Sequence, residues 1–268
     1  MTMTTRTAPY TQDQVGRGTA RFPSGAPMPS PTDISVDPYA KTRVPKAVQV
    51  EGLMYWPQDK GPFPGLLLLH EAWGLNVQIQ AVAVRLAAEG FVVLVPNLYG
   101  RQGGMVTANA EIAQALAERI NEADLLQDLN SACEFLNTRD QVKGNLHGAV
   151  GFGLGGSLAI RLACRRKRLR AAVSFYGQPP APLASLQHLA CPLLYHRPGA
   201  DETVSAESIE ALQAAAQEHG KRLDVALYEQ APHAFFNDQR QDTYRKTDAA
   251  AAWDRTVQFL NECLKQNP

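Results

Sequence analysis

The stretch 148-GAVGFGLGGSLAIRLA-163 decides the fold. It runs from a short apolar strand through a glycine-dense turn into a helix of apolar periodicity. That is the form of a nucleophile elbow, G-x-[SC]-x-G, in which a sharp turn lifts a catalytic Ser or Cys above the end of a sheet. The middle position here is Gly153, which carries no side chain. The same residues, 151-GFGLGG-156, also fit the dinucleotide fingerprint G-x-G-x-x-G. Against that reading, the run lies in the middle of the chain. The ribose-binding acid expected about 20 residues on is also missing, since 170-RAAVSFYGQPP-180 has no Asp or Glu. No nucleotide or other cofactor is expected.

Working outward, apolar runs alternate with helical segments. Strands read at 47-AVQVEGLMYW-56 (an outer strand), 65-GLLLLH-70 (buried on both faces), 91-FVVLVP-96, 146-LHGAVGF-152, 170-RAAVSFY-176, 191-CPLLYH-196 and 222-RLDVALYE-229. Helices read at 76–90, with Asn76 as N-cap, at about 107–137, from the elbow to about 166, at 205–219 and at 243–264. This alternation predicts an α/β fold, a mostly parallel sheet with helices on both faces. Residues 46–268 form that domain. Residues 1–45 hold seven prolines among many Thr, Ser and Gly without periodicity; they read as an extended or disordered proline-rich arm. Such an arm could wrap a partner subunit, a route to a homo-oligomer.

The chain of 268 residues is 45% apolar, and its 26 basic residues balance 26 acidic ones. No global field draws it to nucleic acid or an anionic membrane, and 165-RRKRLR-170 reads as a solvated helix end. No apolar run reaches membrane-spanning length, and the first residues lack a secretory h-region. Cys133, Cys164, Cys191 and Cys263 have no metal-ligand spacing and read as reduced, mostly buried thiols. A cytoplasmic protein is expected. No metal site is expected either: His70 and Glu71 adjoin but point to opposite strand faces, while His147, His188, His196 and His219 are scattered.

Open parallel sheets bind ligands beyond the carboxyl ends of their strands. At those ends stand Glu71, Arg101, Gly153, Asp201 and His233. Singly, Asp201 reads as a turn residue and His233 as a loop histidine. Together, elbow, acid and histidine follow the chain order nucleophile, acid, base. His233 would carry a proton between attacking and leaving groups, and Asp201 would fix its tautomer.

In 70-HEAWGLN-76, 94-LVPNLYGRQ-102, 151-GFGLGGSLA-159, 199-GADETV-204, 233-HAFFND-238 and 250-AAAWDRTVQFL-260, the chain resembles the dienelactone hydrolase family of α/β-hydrolases. The resemblance spans about 50–264 and implies action on a small ester, lactone or related carbonyl compound. It assigns Glu71 as the strand-end glutamate that governs nucleophile protonation, with Asp201 and His233 as acid and base. It places oxyanion-hole N–H groups at Ala72 and Leu154, and substrate contacts at Arg101 (to a carboxylate) and Trp73. Gly153 departs from the family's Cys or Ser, and Asn237 stands where the family has a second arginine. Ser157, one helical turn beyond Gly153, and Cys164 are poor substitutes for the nucleophile. Three readings remain: a hydrolase that uses an activated water, an inactive ligand- or partner-binding relative, and a nucleophile-lacking variant of an ordinary hydrolase.

Overall fold

The computed structural model describes residues 7–25 and 48–266. The chain forms eight strands: β1 (Val15–Pro23), β2 (Gln49–Pro57), β3 (Phe63–Leu69), β4 (Val92–Pro96), β5 (Val142–Phe152), β6 (Leu169–Phe175), β7 (Leu193–Ala200) and β8 (Leu223–Pro232). They lie side by side in one sheet in the order β1-β2-β4-β3-β5-β6-β7-β8. Pairing is antiparallel for β1 with β2 and β2 with β4, and parallel from β4 through β8. The expected α/β architecture is therefore observed, and it is that of an α/β-hydrolase.

The helices are α1 (Val77–Ala88), α2 (Ala110–Glu118), α3 (Glu122–Asn137), α4 (Leu154–Arg165), α5 (Ala206–Glu218) and α6 (Lys246–Asn261). The helical stretch expected over about 107–137 is two helices, because the Asn121 side chain accepts from Asp124 N–H and starts α3 afresh. Side chains alternate faces along a strand, so β3 divides its leucines between two cores. Leu67 and Leu69 join the residues of α3, α4 and α5 on one face. Leu66 and Leu68 join those of α1 and α6 on the other. All four are fully buried, and each contributes about 1.5–3 kcal/mol relative to exposure.

The segment given no regular element at the start of the chain contains β1. Val15–Pro23 pairs with Pro57–Gln49 along its whole length, so β2 is covered and is not the outermost strand. Its alternation sends Ala20 and Phe22 inward, and with only two large or apolar inward residues beside Thr19 and Arg21 the period is weak in the sequence. Residues 26–45 of the expected arm lie outside the described residues. Among the described residues, no helix is long and apolar enough to cross a membrane.

The glycines of the elbow let α4 press onto the sheet. A Cβ on Gly151 would overlap the Gly155 carbonyl, and one on Gly155 would overlap the Leu69 carbonyl. Neither neighbour is a flexible side-chain end, so the strand or the helix must move. Gly155→Ala gains about 1 kcal/mol of helix propensity, but overpacking costs about 1–3 kcal/mol or more. Because the clash is with backbone, the upper end applies. Urea unfolding is expected to show a net loss of about 2 kcal/mol.

Candidate active site

Each side chain of the site stands one or two residues past the carboxyl end of a parallel strand. Glu71 follows β3, Gly153 follows β5, Tyr176 follows β6, Asp201 follows β7 and His233 follows β8. Parallel pairing aligns these ends, which is why residues spread over more than half of the chain meet.

His233 and Asp201 form the expected pair. His233 Nδ1 lies 2.9 Å from Asp201 Oδ2 and 3.2 Å from Oδ1. Asp201 Oδ1 also accepts from the backbone N–H of Thr203 at 2.7 Å and of Val204 at 3.1 Å. Burial opposes the Asp201 charge, but the hydrogen bond and charge of His233 and these two N–H donors outweigh it, so its pKa is lowered. An ionised Asp201 keeps the Nδ1 proton on His233 and leaves Nε2 as the free base.

Nε2 points at the elbow. Gly153 has φ 50° and ψ −112°, a left-handed conformation that favours glycine. An ideal Cβ there would lie 3.9 Å from His233 Nε2, Glu71 Cγ and Tyr176 Cε2 alike, with nothing nearer. Tyr176 and Ala234 also have positive φ, 43° and 61°. Non-glycine residues in this region store about 1–2 kcal/mol each, and here they flank the elbow and the base.

Glu71 is held from both sides. Oε1 accepts from the Tyr176 hydroxyl at 2.9 Å and Oε2 from Asn237 Nδ2 at 2.7 Å. Burial raises the Glu71 pKa, opposed by those hydrogen bonds and by the charges of His233 and Arg240. Tyr176, itself buried beside Glu71, has its pKa raised well above 10 and stays a donor. In the sequence Tyr176 is marked only by its place directly behind the apolar run of β6. Asn237 registers there only as a missing arginine; in the structure it is a neutral partner of Glu71.

The raised pKa of Glu71 has a sign for stability. The folded protein holds the proton more tightly than the unfolded chain, so stability falls as pH rises from about 4.5 toward the folded value. Glu71→Gln removes that dependence. Its melting temperature relative to the parent is expected to rise steadily above pH 4.5, and the difference should close below it. Thermal melts across pH 4–8 check this.

The two donor positions are built differently. Leu154 is the first residue of α4, so its N–H has no intrahelical acceptor and sits at the positive end of the helix. The Ala72 N–H belongs to the peptide whose carbonyl is Glu71 O. That oxygen is bound by His70 Nδ1 at 2.7 Å and by Gly74 N–H at 3.2 Å. His70 Nε2 accepts from Leu98 N–H at 3.1 Å, so its proton is on Nδ1. Burial pushes the His70 pKa down to about 4, which keeps the ring neutral in this role. His70 therefore orients the Ala72 peptide, a function the sequence reading did not find.

Arg101 is not brought to this cluster. Its Nε and Nη2 make a two-pronged contact with Asp128 of α3 at 2.8 and 2.9 Å, and Nη2 reaches Ser24 Oγ at 3.4 Å. The fork that would grip a substrate carboxylate is taken up by a carboxylate of the protein itself. Trp73 is half-buried on the loop after Glu71, with the Arg240 guanidinium 5.3 Å from its ring centre. Ser157 Oγ accepts from Gln178 N–H at 2.8 Å and bonds Gly153 O, an anchoring role inside the helix. Cys164 and Cys263 are half-buried rather than buried; Cys133 and Cys191 are buried, and all four are free thiols. Among the described residues, no three His, Cys, Asp or Glu side chains group to hold a metal.

The family model described as the dienelactone hydrolase family matches residues 50–264. A Bradyrhizobium protein named "Probable 2-oxo-3-(5-oxofuran-2-ylidene)propanoate lactonase" is 29% identical over 214 residues, covering 76% of this chain and 86% of its own. Protein usf of Aquifex pyrophilus is 29% identical, covering 81% and 95%. A solved dienelactone hydrolase-like promiscuous phosphotriesterase, P91, from metagenomic libraries superposes with a TM-score of 0.78 at 21% identity, covering 93% of this chain and 99% of its own.

Proposed function

Because the chain belongs to the dienelactone hydrolase family, we propose that it hydrolyses small esters or lactones with a water in place of the family's side-chain nucleophile. The observation that carries this reading is the open space at Gly153. It is bounded at 3.9 Å by His233 Nε2, the proton-accepting nitrogen of the base, and by Glu71 Cγ and the Tyr176 ring edge. A polar gap of this kind suits a water with two to four partners.

In the proposed reaction the substrate carbonyl oxygen accepts from the N–H groups of Ala72 and Leu154. A water at the elbow gives its proton to His233 Nε2 as its oxygen attacks the carbonyl carbon. Asp201 stabilises the imidazolium, and the oxyanion is held by the two donors. The tetrahedral adduct then collapses, and His233 returns the proton to the leaving oxygen. A single displacement forgoes the two easier steps of covalent catalysis, so activated carbonyls, above all strained or enol lactones, fit best. The name of the Bradyrhizobium relative, a lactonase, supports that class.

Arg101 is tied to Asp128 and Asn237 is neutral, so neither supplies a free cation for an anionic substrate. Neutral lactones are expected to have kcat/KM values no lower than those of matched carboxylated ones. Steady-state kinetics on such a pair test the substrate class; a preference of tenfold or more for the carboxylate would refute it.

A further inference from the structure

Between α1, α6 and the loop that follows His233 lies a cavity of about 180 Å3 that the hydrolytic mechanism does not use. It shares a wall with the active site: Phe236 and Asp238 line it, and Asn237 between them donates to Glu71 Oε2 at 2.7 Å. Arg85 enters it from α1. Its guanidinium carbon lies 3.9 Å from the centre of the Trp253 ring. Stacking of that kind covers one face of the guanidinium and leaves its N–H edge available. Among the described residues no oxygen accepts from that edge. Gln78, on the same helix, is only 4% exposed, lines the cavity and also has no hydrogen-bond partner among the described residues. Buried amides are normally paired. The amino end of α6 completes the cavity: no side chain caps it, and its first turn brings Lys246 into the lining.

We propose that this cavity is a second ligand site, for a small carboxylate with a short apolar tail, held by Arg85, Gln78 and Lys246. The donor set fits the head group. A guanidinium fork matches a carboxylate with two parallel hydrogen bonds, the Gln78 amide adds a donor, and the positive end of α6 favours an anion. The charge fits a monoanion, since two cations and the single carboxylate of Asp238 leave one positive charge. Asp238 is exposed, and its Oδ1 accepts from Gln239 Nε2 at 3.2 Å. The walls fit the tail: Val82, Phe236 and Ala249 line the cavity and are apolar and buried. A bare inorganic oxyanion would gain nothing from them.

Burial opposes the Arg85 charge and lowers its pKa, and a bound anion offsets that loss of solvation. Carboxylates are also what ring opening of a lactone produces, so the site takes the class of compound that the proposed reaction makes. The site itself needs no reaction at Gly153, and it stands or falls apart from the hydrolytic reading.

The test is saturation-transfer NMR on the full-length protein with butyrate as the probe. Saturable binding is expected, with butyramide, its neutral counterpart, at least tenfold weaker. Arg85→Gln is expected to weaken butyrate binding by at least tenfold. Because that change also loosens the stack on Trp253, Lys246→Glu serves as a second variant. Lys246 is exposed, and an acidic residue suits the first turn of a helix, so the fold is kept while the charge at the cavity reverses. The same tenfold loss is expected there. His233→Ala, which alters only the active site, should bind butyrate as the parent does. Absence of saturable binding, equal affinity for butyramide, or unchanged affinity in Lys246→Glu would each overturn the site. A tenfold loss in His233→Ala would move the butyrate to the elbow and overturn it as well. Inorganic phosphate that displaces butyrate at equal concentration would overturn the carboxylate class.

Discussion

Gly153→Cys is expected to raise aryl-ester hydrolysis by about 100-fold or more while lowering stability. The two effects have separate causes. A Cβ at this position meets nothing closer than 3.9 Å, and His233 Nε2 is one of its three nearest atoms. One further atom, the sulfur, can therefore reach hydrogen-bonding distance of the base without moving the surroundings. In triad enzymes, loss of the nucleophile costs on the order of 10⁶ in kcat. A graft into a site not tuned for it recovers a fraction of that, and two decades is a conservative share. The cost falls on the backbone: φ is 50° at Gly153, which strains any residue with a Cβ by about 1–2 kcal/mol. Kinetics with an aryl ester and urea unfolding of the same preparation check both signs. Activity that stays flat would show that the site is no longer shaped for an acyl-enzyme.

His233→Ala is expected to cut lactone turnover by about 10²–10⁴-fold, the range for loss of a general acid–base. His233 has no rival for the role. Two other buried histidines are committed elsewhere, His70 to the Glu71 carbonyl and Leu98 N–H and His196 between Tyr228 and Thr256, while His147 is buried within β5, before its carboxyl end. Burial lowers the pKa of His70 and His196, to about 4 and about 3, which suits neutral structural rings. Asp201→Asn should fall close behind, since it frees the wrong ring nitrogen. Added imidazole should restore part of the His233→Ala activity but little of the Asp201→Asn activity. Unchanged turnover in His233→Ala would remove the histidine from the mechanism.

The elements that position the site were legible because their signals are local. An apolar run such as 65-GLLLLH-70 leaves few alternatives to a buried strand, and chain order joined the elbow to Asp201 and His233. What stayed hidden depends on three dimensions. Arg101 reads as a free cation, and only the fold shows Asp128 of α3 beside it. Tyr176 and Asn237 become partners of Glu71 through separations of 105 and 166 residues, which no spacing rule spans. By strand alternation His70 reads as pointing away from Glu71. Its ring does leave the mouth of the site, but it turns back to hold the peptide that carries a proposed oxyanion donor. Strand β1 was missed because glycine, threonine and arginine alternate with its two inward residues, diluting the apolar period.

Hydrolysis at this elbow is proposed to proceed without a covalent intermediate. Intact-mass measurement of the protein, quenched during steady-state hydrolysis of dihydrocoumarin, tests it most directly. The predicted result is product accumulating while every protein molecule keeps its unmodified mass. A protein species heavier by one acyl group, rising with product formation and decaying as substrate runs out, would contradict it, as would the absence of any product above the solvent rate.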